Sequence, residues 1–405
     1  MFMPSARNYE EMKYEPAGCW PLPINDGNEY ALITKMPASV IKAAYRSCPV
    51  SLTVARADTP EGVVLATTLK IEDDPGAALM LSGVLRHEEE QSAIENILRA
   101  GRTLMIFFDE LSRPVARAEC LFNSTECVNG FDMVAAPGRR YAGPWTPLLS
   151  DVLDEIQGHG DPQLAVATKH APAFVVIPQT LTGFETLKMT TIGIDDVIEF
   201  RLDDPDEGHG LEQSTWHLLE NLFAGQLFHS PQVREGGELR EFTDILAACG
   251  AGVCLIEAKT AAALSTKPDR TTERRAKSVQ KQIDKGIDQL IGSLRNLATG
   301  LPLLTKKELP LTLPSTTGPY LHGIVMVSEM LPSLDWKAVA TQLIAASQKS
   351  GAMFHVVDLQ ELRILVGISR DQPDLLVAYL AHRFGVMKER EYALLRTRLS
   401  GPHIP

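Results

Sequence analysis

Short apolar and β-branched runs dominate the first half of this chain, and helical periodicity takes over in the second. Gly62 to Ile71 (GVVLATTLKI) and Ala77 to Leu85 (AALMLSGVL) have the length and composition of strands. His87 to Arg99 places Ile94, Ile97 and Leu98 on one helical face. Thr103 to Phe108 and Val115 to Leu121 read as strands flanking a hairpin turn over Asp109 to Pro114. Pro147 to Ile156 reads as a short helix, and Leu164 to Thr168 and Ala173 to Ile177 as further strands. This half is therefore expected to be an α+β domain of unassigned fold, and it holds no chemical motif.

The stretch Asp203 to Gly210 (DDPDEGHG) combines acid, Pro and Gly with no periodic apolar position. It reads as the linker between two domains, 1–205 and 206–405. Beyond it, Glu212 to Phe228 is expected to be a helix, with Trp216, Leu219, Phe223 and Leu227 recurring on one face. Glu241 to Ala248 and Val253 to Lys259 read as strands joined by a tight turn over Cys249 to Gly252. A loop over Ser265 to Arg270 leads into a long helix, Thr271 to Leu297. Then come a buried strand (Gly323 to Ser328), a helix (Trp336 to Gln348), a short strand (His355 to Asp358) followed by Leu359 to Leu365, and a closing helix (Pro373 to Phe384).

Composition is that of a globular protein, with 44% hydrophobic and 22% charged residues over 405 positions. That length calls for more than one core. No stretch is long and apolar enough for a signal peptide or a membrane span, so a cytoplasmic protein with no membrane partner is expected. The six cysteines form no CxxC pair and no zinc-ligand spacing. They read as reduced, buried thiols. The histidines form no HExxH, and no P-loop, dinucleotide fingerprint or Ser/His/Asp motif is present.

Charge changes the picture more. The net charge of −12 weighs against phosphate binding. Yet from Lys259 to Lys307 there are eleven basic and four acidic residues, so one basic stretch sits in an acidic chain.

That stretch begins where the candidate chemistry lies. In EFTDILAACGAGVCLIEAK, residues 241–259, side chains alternate faces, so Glu257 and Lys259 point the same way. The hairpin returns Asp244 across from them. Two carboxylates and an ammonium at the end of an apolar strand need partners. A divalent cation supplies one: hard carboxylate oxygens suit Mg²⁺ or Mn²⁺. Such an ion activates water and polarises a phosphoryl oxygen, while the lysine stabilises developing charge or positions the water. The bland reading is a salt-bridge cluster at a sheet end, which contributes little.

Asp244 followed by Glu257-Ala258-Lys259 resembles the PD-(D/E)xK nuclease superfamily, the restriction-endonuclease-like fold. The resemblance covers roughly residues 207–390, with Thr243 standing where the family name has Pro. It implies a mixed central sheet flanked by helices, and Mg²⁺-dependent hydrolysis of nucleic acid, DNA ahead of RNA, in an enzyme that could be a homodimer. A glutamate on the preceding helix, Glu212 or Glu220, would complete the metal site. Gln282 and Gln289 resemble the Gln-bearing face that follows the lysine strand. Gln282 and Lys285 are then expected to face the active site, with Arg274 and Arg275 on backbone phosphates. The first half would select substrate or bind a protein partner. The competing expectation is an inactive nuclease-fold protein that serves as a binding module, which the acidity of the chain favours.

Overall fold

The structure, a computed structural model, describes residues 5–73, 78–160, 169–192, 197–260, 272–314, 318 and 320–397. The chain is mixed α+β, and it divides into two compact units: residues 1–189 with 201–203, and residues 190–200 with 204–405.

The first unit runs α1 (Ala6–Tyr14), β1 (Gly18–Ile24), a 3₁₀ turn, β2 (Glu29–Lys35), α2 (Ala38–Tyr45), β3 (Val50–Thr59), β4 (Gly62–Ile71), β5 (Leu79–Val84), α3 (Glu88–Ala100), β6 (Arg102–Phe108), β7 (Pro114–Phe122), α4 (Ser124–Ala135), α5 (Pro147–Gly160) and β8 (Ala173–Thr186). Its strands form one sheet in the order β1-β2-β6-β7-β8-β3-β4-β5. All neighbours are antiparallel except β2 and β6. The buried run of β4 fits its place between β3 and β5. Pro21 and Pro23 lie in β1, the first strand of the sheet, where missing N–H groups cost least. The expected strand Leu164 to Thr168 lies outside the described residues, and β8 runs past Ile177 to Thr186.

A two-stranded hairpin follows, β9 (Lys188–Ile192) and β10 (Val197–Arg201). The second unit then runs α6 (Glu207–Glu220), β11 (Leu227–His229), β12 (Gln232–Glu235), β13 (Glu238–Glu241), β14 (Ile245–Ala248), β15 (Gly252–Lys259), α7 (Thr272–Ala298), β16 (Leu303–Leu304), β17 (Tyr320–Val327), α8 (Trp336–Ser350), β18 (Met353–Asp358), α9 (Leu359–Ile368) and α10 (Pro373–Arg390). Its main sheet has the order β11-β14-β15-β17-β18. β11, β14 and β15 are mutually antiparallel neighbours, while β15, β17 and β18 are parallel.

Each face of this sheet has its own helices. Leu246, Val253, Leu255, Val325, Val327, Phe354 and Val356 form one core with α7 and α8. The α7 stripe of Val279, Ile283, Ile287, Leu290 and Leu294 is buried there, each side chain contributing about 1.5–3 kcal/mol as an upper figure. The opposite face carries α6 and α10. Gly252 opens β15 because an added Cβ would lie 2.1 Å from the Tyr320 carbonyl oxygen.

Three expectations change, and a fourth falls outside the described residues. The linker is shorter than Asp203 to Gly210, since Asp206 caps α6 by accepting from His209 N at 3.0 Å. The helix stops at Glu220 rather than Phe228, because Leu227 to His229 pair with β14 as a strand. The strand expected over Glu241 to Ala248 is split: Glu241 belongs to β13, which pairs with β12, and only Ile245 to Ala248 pair with β15. The loop Ser265 to Arg270 lies outside the described residues. Among the described residues no helix is long and apolar enough to cross a membrane.

Candidate active site

The break between β13 and β14 builds one wall of the site. Phe242 is buried and its N–H donates to the Pro231 carbonyl at 2.8 Å. The Thr243 hydroxyl donates to the Ile256 carbonyl at 2.8 Å. Asp244 is thereby set immediately before β14, at the mouth of the hairpin, and Ser230 N donates to its carbonyl oxygen at 2.7 Å. Ile245 pairs with Ile256, so Asp244 stands level with Glu257. Alternation puts Asp244, Glu257 and Lys259 on the α7 side with Leu246 and Leu255.

The three side chains meet. Lys259 Nζ lies 2.6 Å from Glu257 Oε2 and 3.4 Å from Asp244 Oδ2. Asp244 Oδ2 also accepts from Ala258 N at 2.7 Å. Glu257 is 3% exposed, which makes its charge expensive without a partner. Burial, and then the nearby Asp244 carboxylate, push its carboxyl up to about 7 against the pull of Lys259. Burial also raises Asp244, opposed by Lys259 and the Ala258 N–H, while Glu212 and Glu241 push it further up. Burial alone would pull Lys259 down, but Glu257 and Asp244 outweigh it and hold the ammonium above the usual lysine value.

The other candidates divide. Glu212 is close enough for its charge to act on Asp244, and its Oε1 lies 2.5 Å from His229 Nε2. The His229 ring also meets Trp216 edge-on, with centroids 5.5 Å apart. Glu220 is elsewhere. It pairs with His217 at 2.7 Å and lies about 12 Å further along the helix axis than Glu212. Glu212 thus lies on the Asp244 side of α6, paired to His229, while Glu220 is held in a pair within its own helix.

α7 reaches the site through Gly286. An added Cβ there would lie 2.8 Å from Val325 Cγ1 and 3.4 Å from Lys259 Cγ, so the glycine sets how closely the helix approaches. Gln282 is half-buried and one turn earlier, at the end of the sheet where β15 terminates. Gln289 and Lys285 are exposed. Arg275 does not fit its expected role: it is buried, and its Nη2 lies 3.2 Å from Glu329. Arg274 remains exposed.

His229 was missed by sequence reasoning. Its signal is faint: a short apolar pair, Leu227 and Phe228, ending in a histidine that pairs with Ile245.

The donor set suits a hard divalent ion on limited terms. Among the described residues no three His, Cys, Asp or Glu side chains are placed to hold a metal. Asp244 and Glu257 would supply two carboxylates, and Mg²⁺ commonly takes one or two from the protein and completes its shell with water and substrate oxygens. Burial, and after it the repulsion from Asp244, raises Glu257, and such an ion would offset both. Comparison with protein-family models, with curated proteins and with solved structures finds no match in any of the three.

Proposed function

We propose that the second unit is a metal-dependent nuclease of the PD-(D/E)xK, restriction-endonuclease-like kind, which hydrolyses phosphodiester bonds in nucleic acid, DNA ahead of RNA. The observation that carries this reading is the convergence of Asp244 and Glu257 on Lys259 where β15 ends. Ligand sites in sheets with parallel strands gather at the carboxyl ends of those strands, and β15, β17 and β18 end together here. The order of α6, the β14–β15 hairpin, α7 and β17 supports the same reading.

Asp244 and Glu257 would hold Mg²⁺ or Mn²⁺, which would supply a polarised phosphoryl oxygen and an acidified water. The chain's own groups do the rest. Lys259, released from its two carboxylates once the ion neutralises them, would donate to the negative charge that builds on the phosphoryl oxygens. The Ala258 N–H fixes one oxygen of Asp244. His229 holds Glu212, so that a third carboxylate orients water or the ion's water shell next to Asp244. Gln282 offers an amide to the scissile phosphate or its water.

A second reading has one observation in its favour. Lys259 already satisfies both carboxylates, and no three-residue metal group accompanies them among the described residues. A catalytically inactive nuclease-fold binding module would look the same. One experiment decides between them. Purified protein is incubated with plasmid, linear duplex and single-stranded substrates in Mg²⁺ or Mn²⁺, alongside Asp244→Ala, Glu257→Ala and Lys259→Ala. Cleavage by the wild type that all three variants lose supports the enzyme. No cleavage of any substrate, or full activity in all three variants, overturns it.

A further inference from the structure

We propose that the outward face of α7 is a track for the phosphate backbone of double-stranded nucleic acid, formed by Arg274, Lys277, Lys281 and Lys285. The choice of ligand rests on the nuclease reading, whereas the surface itself stands on independent observations. All four side chains are exposed, and each lies one helical turn from the next. Together they span about 16 Å of helix axis. Duplex DNA carries one charge per about 1.7 Å of its own axis, so a row of this length meets several phosphates in any register.

The row is unusual because it is unneutralised. Among the described residues none of the four makes an ion pair. Asp284, one turn from Lys281, is engaged instead by Gln280 Nε2 at 2.7 Å, and Gln280 also reaches Gln342 of α8 at 3.0 Å. Like charges one turn apart destabilise a helix by roughly 0.2–0.5 kcal/mol per pair. Lys277, Lys281 and Lys285 accept that repulsion twice over, in a chain whose net charge is −12. Each of the three lysines has an acid one turn away, Glu273, Asp284 or Asp288, yet among the described residues none of these closes to an ion pair. Exposed acids, Glu273 and Asp288, flank the row at its two ends.

The row lies on the helix that borders the site. Lys285 adjoins Gly286, the residue that packs against Lys259 Cγ. A membrane is a poor alternative ligand, because a surface-bound helix buries its apolar face in lipid. The apolar face of α7 is already spent on the sheet.

The test uses the full chain carrying Asp244→Asn, which blocks cutting, and a fluorescent 20-base-pair duplex. Binding is read by anisotropy from 50 to 200 mM NaCl. The triple variant Lys277→Gln/Lys281→Gln/Lys285→Gln should lower the slope of log K against log salt by about 2.7. It should also weaken binding at 50 mM NaCl by on the order of tenfold or more. The control Lys388→Gln/Arg390→Gln removes exposed charge from the end of α10, outside the row, and should leave the slope unchanged. Circular dichroism checks that both variants fold. Equal losses in triple variant and control, unchanged binding in the triple variant, or no duplex binding at all would overturn the track. So would competition by polyglutamate, or capture on phosphatidylserine vesicles, as strong as that by duplex. Stripe-dependent binding by a wild type that never cuts would sink the nuclease and leave the track. Cutting that the triple variant performs at wild-type rate and affinity would do the reverse.

Discussion

Buried carboxylates occur in both units, and a raised carboxyl pKa does not tell them apart. Glu90 and Glu110 in the first unit and Glu257 in the second are all pushed up to about 7, chiefly by burial. Asp109 raises Glu110 much as Asp244 raises Glu257. The difference lies in the donors. Glu90 accepts from the backbone of Arg86 and His87, and Glu110 from Ala38 at the start of α2. Asp109 accepts from Leu111 N, Arg113 N and Arg113 Nε. Glu155 gathers the N–H groups of Lys169, His170 and Ala171. Each closes a turn or satisfies the orphan donors of a helix start. Glu257 instead shares one lysine with a second carboxylate. A perturbed carboxyl is therefore a pointer to a site only together with its partners: here a second carboxylate and a shared lysine rather than backbone N–H groups.

The largest effects should fall on that shared lysine. On the proposed nuclease reading, Lys259→Ala, Asp244→Ala and Glu257→Ala should each cut turnover by about 10²–10³-fold or more, measured on plasmid at saturating Mg²⁺. Glu110→Gln in the first unit should leave turnover at the wild-type rate. Equal losses in the two regions would erase the distinction between them.

Next in size is a structural pair at the same end of the second unit's sheet. Glu361, fully buried just after β18, accepts from Arg383 Nη1 at 2.7 Å and from both N–H and hydroxyl of Thr397. Glu361→Ala strands the Arg383 charge and should cost about 3–5 kcal/mol in urea unfolding. The turnover of the folded protein should not change. If turnover falls along with stability, the strap formed by the chain after α10 belongs to the site, and the boundary drawn at Asp244, Glu257 and Lys259 is too tight.

What was legible in the sequence follows the same division. Apolar alternation that ends in Glu-Ala-Lys set the face and the end of β15, and a regular stripe marked α7. Three features escaped for one reason: tertiary pairing overrode a continuous local pattern. Phe223 and Leu227 keep helical spacing after Glu220, yet Leu227 to His229 pair with β14. EFTDILAA reads as one strand, yet the chain changes partner between Glu241 and Ile245. Arg275 sits in a basic run, yet it faces Glu329 rather than solvent. No local pattern separates these outcomes, because an apolar residue at helical spacing serves an edge strand equally well. In the first unit, β1 to β3 went unread; Pro21 and Pro23 broke the alternation of β1.

The two units should also part under acid. His322 Nδ1 and His355 Nε2 lie 3.0 Å apart inside the second unit's sheet, both buried. Burial pulls His322 down to about 4 and His355 well below its usual value. The unfolded chain therefore takes up protons first as pH drops. Their contribution is whole above about pH 6.5 and drains away towards about pH 4. Glu90 and Glu110 in the first unit act in the opposite sense, since burial makes them easier to protonate in the folded chain, and acid relieves them; Glu257 does the same in the second unit, so that unit loses only what the two histidines cost beyond the relief of Glu257. Hydrogen exchange between pH 7 and 4.5, corrected for intrinsic rates, should show protection falling first in β17 and β18. Earlier loss in β4 or β6 would reverse the assignment.

The smallest effect tests the first unit's side of the comparison directly. Glu90 closes a capping box: its carboxylate accepts from Arg86 N at 2.8 Å and His87 N at 3.1 Å, at the start of α3. Glu90→Ala removes a buried charge whose burial was costly, which favours the variant. It also removes the acceptor of the Arg86 and His87 N–H groups, which disfavours it. Cap losses of this kind come to about 0.5–2 kcal/mol, and the unrelieved burial of Glu90 offsets part of that near neutral pH. The net loss should therefore be larger at pH 5.5, where the wild-type carboxyl is protonated and no longer costly, than at pH 8. Chemical denaturation at the two pH values measures it. A loss that grows with rising pH would mean the ionised carboxylate is worth more to the helix start than its burial costs.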